Sequence, residues 1–99
     1  MTCTTTKMIL AQLKAEEAEE AIKAAINVAR VLADKGVLCS MRHSVDGFGE
    51  HLGLTLMGPK KVLISIDIRD AQTLDMLMQM LKTFYPEMGG VLDQAMREQ

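Results

Sequence analysis

The first third of the chain has the pattern of a long helix. From about residue 6 to residue 35 it contains neither Gly nor Pro, and it is rich in residues with high intrinsic helix propensity: Ala, Glu, Lys, Leu and Ile. One of the threonines at 4–6 can supply the N-cap, and Gly36 suits the position just after the last turn. The pattern predicts either one helix or two helices with a break near Lys14.

One face of this helix is apolar, which predicts burial. Its residues recur every three or four positions: Ala18, Ile22, Ala25, Ile26, Ala29 and Leu32. Before them the face is all alanine, set among Glu16-Glu17 and Glu19-Glu20. A helix of about 30 residues is about 45 Å long and overhangs a sheet of short strands. We predict that the overhanging part of the helix packs against a second copy of the chain. The alternative is that this end of the helix is frayed and solvated.

After Gly36 the apolar period changes to two, which is typical of strands. Three alternating segments are separated by turn formers at 46–49 and 58–61. Their main apolar positions are Val37, Cys39 and Met41, then Leu52, Leu54 and Leu56, then Val62, Ile64, Ile66 and Ile68. Short connections favour antiparallel neighbours, so the segments predict a 1-2-3 meander with one apolar and one mixed polar face.

The register of this sheet follows from keeping the apolar residues on one face. The pairs expected across the second turn are Leu56 with Val62, Leu54 with Ile64, and His51 with Asp67. Across the first turn His51 is expected to face Ser44 or Arg42, depending on the length of the loop.

The polar face of the sheet is where the sequence suggests chemistry. An imidazole beside a carboxylate, with a hydroxyl or guanidinium alongside, can act as an oriented general base or hold a small ligand. The residues of this candidate ligand site are Arg42, Ser44, His51 and Asp67. The alternative is an ordinary stabilising cross-strand pair, because no nucleophile or metal-ligand set accompanies them. We therefore assign no catalytic residue, metal or cofactor.

Asp70 is a good N-cap for a second helix that presents Leu74, Leu77, Leu81 and Phe84 to the core and ends at Pro86. The spacing of Val91, Leu92, Ala95 and Met96 predicts a short last helix with a polar end. The expected fold is therefore a single α+β domain over residues 1–99: a long helix, a three-stranded antiparallel meander and two further helices (αβββαα).

The second helix is apolar on more than one side. Met76 and Met80 lie on a second face, with Met78 at its border, and methionine is common at surfaces that adapt to partners. The pattern predicts an intermolecular interface at Met76 and Met80, complemented by the acidic Glu16 and Glu20 of the first helix. The alternative is burial beneath the first helix and the C-terminal segment.

Composition narrows the function classes. Net charge is −2, aromatic residues make up 3%, and the cations are scattered, which argues against nucleic-acid binding. Cys3 and Cys39 form no metal-ligand or disulfide pattern, so we expect reduced, structural thiols. The sequence has no signal-peptide core and no apolar run long enough to cross a membrane, so we expect a cytoplasmic protein.

One resemblance accompanies these inferences. The order of long helix, apolar strand, Asp46-Gly47 turn with His51-Leu52 after it, and Ser65-Ile66-Asp67-Ile68 leading into a helix resembles the start of the haem-degrading, GlcG-like domains. The resemblance covers about half of the chain, and it assigns no ligand residue here.

Two functions compete on this sequence. The leading hypothesis is a small non-enzymatic interaction protein, a homodimer that binds and modulates a larger protein, as bacterial or phage accessory proteins and inhibitors do. The runner-up is a small-molecule-binding or enzymatic module that uses the polar sheet face around His51 and Asp67.

Overall fold

Two helices lie on one face of a three-stranded antiparallel sheet, and a third helix packs against both of them. The computed structural model describes residues 2–47, 49–58 and 61–97, with side chains from residue 16 onward. The elements are α1 (Thr2–Asp34), β1 (Leu38–Asp46), β2 (Gly49–Met57), β3 (Leu63–Ile68), α2 (Ala71–Phe84), a 3-10 turn (Pro86–Met88) and α3 (Gly89–Arg97). This order confirms the predicted αβββαα arrangement.

Helix α1 is continuous, so the alternative of two helices with a break near Lys14 is wrong. The predicted N-cap at 4–6 is also wrong, because these threonines lie inside the helix. Threonine costs only a few tenths of a kcal/mol in a helix interior, and the segment contains no Gly or Pro. The helix of 33 residues is about 50 Å long, whereas a nine-residue strand spans about 30 Å, so α1 extends beyond the sheet.

The C-terminus of α1 is fixed by a Schellman motif around Gly36. The Val37 N–H donates to the Leu32 carbonyl at 3.0 Å, and the Gly36 N–H donates to the Ala33 carbonyl at 3.1 Å. Gly36 takes the left-handed conformation that the motif requires, with φ of +88°. Val37 and Leu32 are both buried, so the motif also turns the chain into β1 through an apolar contact.

The sheet has the predicted strand order β1-β2-β3, but the predicted register across the second turn is wrong. Leu56 pairs with Ile64 rather than Val62, and Leu54 pairs with Ile66. The Lys61 N–H donates to the Gly58 carbonyl at 2.9 Å. The paired part of β3 begins only at Leu63, opposite Met57, so Val62 lies outside the strand. The shift of two residues keeps the apolar faces together, which is why the pattern alone could not detect it.

The core lies between the sheet and the helices. It contains the α1 stripe from Ala21 to Leu32, the three β2 leucines, and Leu74, Leu77, Met78 and Leu81 of α2. Phe84, predicted to line the core, is 40% exposed, so that prediction is wrong. The helix ends at Phe84, and the next residue, Tyr85, turns inward instead, where its ring lies against Gly58.

Candidate functional site

The outer face of the sheet, which points away from the helices, carries all four predicted ligand residues and a feature that was not predicted. Strand alternation and register place a set of side chains on it, and none of those that the structure describes is buried. They are Leu38, Ser40, Arg42, Ser44 and Asp46 from β1, His51, Thr55 and Met57 from β2, and Leu63, Ser65 and Asp67 from β3. The opposite face packs against the helices except along the outer part of β1, where Met41 and Val45 are exposed.

All four residues of the predicted ligand site lie on this outer face. Ser44 faces His51 directly, which is one of the two arrangements expected across the first turn. Asp67 faces Gly53 rather than His51, so the predicted direct pair is wrong. His51 and Asp67 are instead diagonal neighbours on the same face, close enough for their side chains to meet.

His51 is held between two carboxylates. Its Nδ1 lies 2.9 Å from Asp67 Oδ1 and its Nε2 lies 3.1 Å from Asp46 Oδ2, with the ring only 17% exposed. The other oxygen of Asp67 accepts from Arg69 Nε at 2.8 Å. The sequence reasoning missed Asp46 and Arg69. Asp46 lies two residues from Ser44 on β1 and therefore shares its face, whereas Arg69 follows the end of β3.

This arrangement bears on the general-base hypothesis. A base needs a ring nitrogen that is free to accept a proton from a substrate, whereas both nitrogens of His51 face carboxylate oxygens. The same geometry ties together the hairpin tip at Asp46 and the end of β3 at Asp67. The structure therefore favours a structural role for His51. Among the described residues, no group of three or more His, Cys, Asp and Glu could hold a metal ion.

The feature that was not predicted is a row of three apolar side chains at the opposite end of the outer face. Leu38 pairs with Met57, and Met57 pairs with Leu63, so the three lie side by side across the sheet. They are 70%, 41% and 63% exposed. The alternation of apolar and polar residues could have revealed this row, because it assigns these three large apolar residues to the face that is otherwise polar. We call these three residues the apolar row.

Next to the apolar row lies a row of hydroxyls. Ser40 pairs with Thr55, and Thr55 pairs with Ser65, so each strand contributes one hydroxyl. Beyond it follow Arg42 and Asp67 on the two edge strands, with Gly53 between them. The outer face therefore changes from apolar to hydroxyl-bearing to charged along the strands.

The methionines of α2 are placed differently from one another. Met76 is 52% exposed, Met80 is half-buried against the core, and Met78 is buried. Met76, Met80 and Phe84 follow one another at intervals of four residues and therefore lie along one flank of α2. We call these three residues the α2 stripe. Met78, placed at the border of the face by the sequence pattern, belongs to the core.

The acidic residues of α1 lie on a separate surface. Glu16 and Glu20 are exposed, and Glu20 lines a cavity of about 210 Å³ with Ala71 and Leu74 of α2. Ala71 and Met80 are nine residues apart, which places them on opposite sides of α2 at 100° per residue. The structure therefore does not bring the predicted partner-binding residues Glu16 and Glu20 together with Met76 and Met80.

Cys39 faces the helices from β1. Its thiol lies 3.6 Å from the Ala29 carbonyl, and burial raises the pKa of the thiol above its ordinary value. Cys3 lies where side chains are not described.

Comparison of the chain with known protein families, curated proteins and solved structures found no match, so nothing in them supports the resemblance to haem-degrading domains. Of the helices in the described part of the chain, none is long and apolar enough to cross a membrane.

Proposed function

We propose that this chain is a small non-enzymatic interaction protein that works as a homodimer and binds and modulates a larger protein. The observation that carries the proposal is the apolar row, three large apolar side chains side by side on a sheet face that no element in the described part of the chain covers. Contiguous exposed apolar side chains commonly mark sites of protein interaction, whereas scattered ones need no explanation.

The surroundings of the apolar row support partner binding. Protein interfaces combine an apolar centre with a polar rim that supplies hydrogen bonds. The hydroxyls of Ser40, Thr55 and Ser65 provide such a rim on one side of the row, and their short side chains lose little conformational freedom on binding. A partner with an exposed apolar side chain and neighbouring hydrogen-bonding groups fits this surface.

The acidic side of α1 offers a second contact surface. Glu17 and Glu20 border the cavity whose floor is formed by Ala21, Ala24 and Leu74. A partner's lysine or arginine side chain suits carboxylates at a rim above apolar carbon, because it can bury its stem and keep its charge at the edge. This surface lies on the helical side, so one partner reaches both surfaces only by wrapping around the molecule.

The runner-up, a ligand-binding or enzymatic site around His51 and Asp67, has weaker support. The two carboxylates occupy both ring nitrogens, and Arg69 occupies the second oxygen of Asp67. His51 and Asp67, the two residues at the centre of this hypothesis, therefore already bind each other, Asp46 and Arg69.

The test is a pull-down from lysate of the source cell with wild-type chain and with the double variant Leu38→Ser and Met57→Ser. We expect the variant to lose a protein that wild type retains, because the variant replaces the apolar centre of the surface by hydroxyls. The matched control is Val45→Ser, an equally exposed apolar residue on the other face of the sheet. Retention of the same proteins by the double variant, or equal loss in the control, would contradict the proposal.

A further inference from the structure

The two edge strands of the sheet are unequally protected against pairing with another chain. On the free edge at β1, Arg42 projects outward and His43 projects towards the helical side, where it binds Glu50 at 2.7 Å. A charged side chain such as that of Arg42 keeps an edge strand from pairing. On β3 the single charge is Asp67, which already binds His51 and Arg69. Within the described chain, β3 pairs with β2 alone, so its outer edge is free.

Helix α2 lies along this free edge. It contacts β3 and, among the described residues, neither of the other strands. It runs antiparallel to β3, because Asp70 joins their adjacent ends while Tyr85 reaches Gly58 beside the far end. The side of α2 that faces α1 carries Ala71, so the α2 stripe lies on the flank turned away from α1, above the edge of β3.

We propose that a second copy of this chain pairs with this edge. The two β3 strands lie antiparallel about a two-fold axis at Ile66, and two sheets of three strands become one sheet of six. The inference rests on the homodimer included in the proposed function and names its interface. An antiparallel pair of identical strands is self-complementary, because each strand offers the other the same row of N–H and carbonyl groups.

The register follows from the side chains of β3. Two registers keep most of the six-residue strand paired and like faces together, with either Ser65 or Ile66 on the axis. With Ser65 on the axis, Asp67 faces the exposed Leu63 of the second copy. With Ile66 on the axis, Asp67 faces Ser65 of the second copy, whose hydroxyl can donate to the carboxylate. The second register gives Asp67 a further hydrogen-bond donor, whereas the first places its carboxylate against an apolar side chain. The contact between Asp67 and Ser65 occurs twice by symmetry.

The helices fit the same axis. The 14 residues of α2 span about 21 Å and the six residues of β3 about 20 Å, so their midpoints are level. An axis at Ile66, just past the midpoint of β3, is level with Met76 of α2. It therefore brings the Met76 side chains of the two copies together, and the contact contains only uncharged side chains of the stripe. Pairing through the exposed part of α1 instead would oppose its glutamates, Glu16, Glu17, Glu19 and Glu20, across the two-fold axis.

The experiment measures solution mass by light scattering at high micromolar concentration. Wild type is expected at twice 10.9 kDa. Ser65→Glu places a carboxylate against Asp67 of the second copy, twice by symmetry, and should weaken self-association by at least about tenfold. Ser65→Lys should retain the dimer, since the ammonium then faces that carboxylate. Ser40→Glu, the matched exposed serine of the same row on β1, should also retain it.

A cross-link tests the axis directly. In a chain carrying Cys3→Ser and Cys39→Ala, oxidation of Ile66→Cys should join two copies, because residues opposite one another on paired strands have the Cα spacing of a disulfide. Ser40→Cys in the same background should stay unlinked. Circular dichroism checks that each variant is folded.

Three outcomes overturn the inference: a wild-type mass of a single chain, a Ser65→Glu variant that keeps the dimer, or loss of the dimer in both Ser65→Glu and Ser65→Lys. Binding of the larger partner is tested separately from dimer formation. The test is the pull-down with the double variant Leu38→Ser and Met57→Ser. These residues lie away from the free edge of β3, so the double variant is expected to keep the solution mass of wild type.

Discussion

The two faces of the sheet are built from the same strands and differ in what covers them. On the helical face Leu52, Leu54 and Leu56 of β2 are buried under the helices. On the outer face their neighbours His51, Thr55 and Met57 meet solvent or one another. The helical face holds the fold together by burial of apolar area, whereas the outer face is held by cross-strand pairs and keeps its side chains available. Strand parity therefore separates the side chains that stabilise the core from those that remain exposed.

The largest difference in stability between the two faces of the sheet is expected from substitutions at two adjacent residues of β2. Leu54→Ala should lower the free energy of unfolding by about 2–5 kcal/mol, because it leaves a cavity in the core. Thr55→Ala, one residue along and on the outer face, should cost less than about 1 kcal/mol. Urea unfolding followed by circular dichroism measures both. Equal losses would show that the outer face is also packed against something.

The next largest loss of stability is expected at Gly58, which follows the end of β2 and lies against Tyr85. A Cβ at Gly58 would overlap the Tyr85 hydroxyl, and the buried ring has little room to move. We expect Gly58→Ala to destabilise the protein by about 1–3 kcal/mol through overpacking. Gly53→Ala is the control, since its nearest neighbour would lie at 3.6 Å, an ordinary contact. A thermal melt of Gly58→Ala that matches wild type would contradict the contact with Tyr85.

A smaller effect is expected at the two histidines, which lie on opposite faces. His51→Ala removes a ring that is 17% exposed and joins two strands through Asp46 and Asp67, so it should cost about 1 kcal/mol. His43→Ala removes a pair with Glu50 in which the ring is 52% exposed, and it should cost less than about 0.5 kcal/mol. Chemical denaturation of both variants compares them. A larger loss at His43 would reverse this assignment.

The smallest effect concerns the Cys39 thiol on the helical face. Burial raises its pKa in the folded state, so the neutral thiol is favoured by folding. The associated stability is complete below the unfolded pKa and is lost as pH rises through the folded pKa. In a Cys3→Ser background, we expect alkylation of Cys39 near pH 8 to be slower in the native state than in urea. Equal rates would place the thiol in solvent.

Local chemistry in the sequence determined the elements. The alternation of apolar residues placed all three strands, and Gly36 marked the end of α1 because only a residue free to take a positive φ closes the Schellman motif. Asp70 marked the start of α2, where its carboxylate accepts the Thr73 N–H at 2.8 Å. These signals involve residues within a few positions of one another, so they can be read along the chain.

Tertiary structure decided what depends on distant parts of the chain. A register shift of two residues conserves strand parity, so pairing of Leu56 with Ile64 instead of Val62 required the geometry of the turn. The sequence pattern placed Phe84 in the core, but α2 ends at Phe84 and Tyr85 enters the core instead, where its ring lies against Gly58. The contact of Asp46 with His51 and the alignment of Leu38, Met57 and Leu63 join residues from different strands. Their positions are set by packing across the sheet, and periodicity within one segment contains no information about that packing.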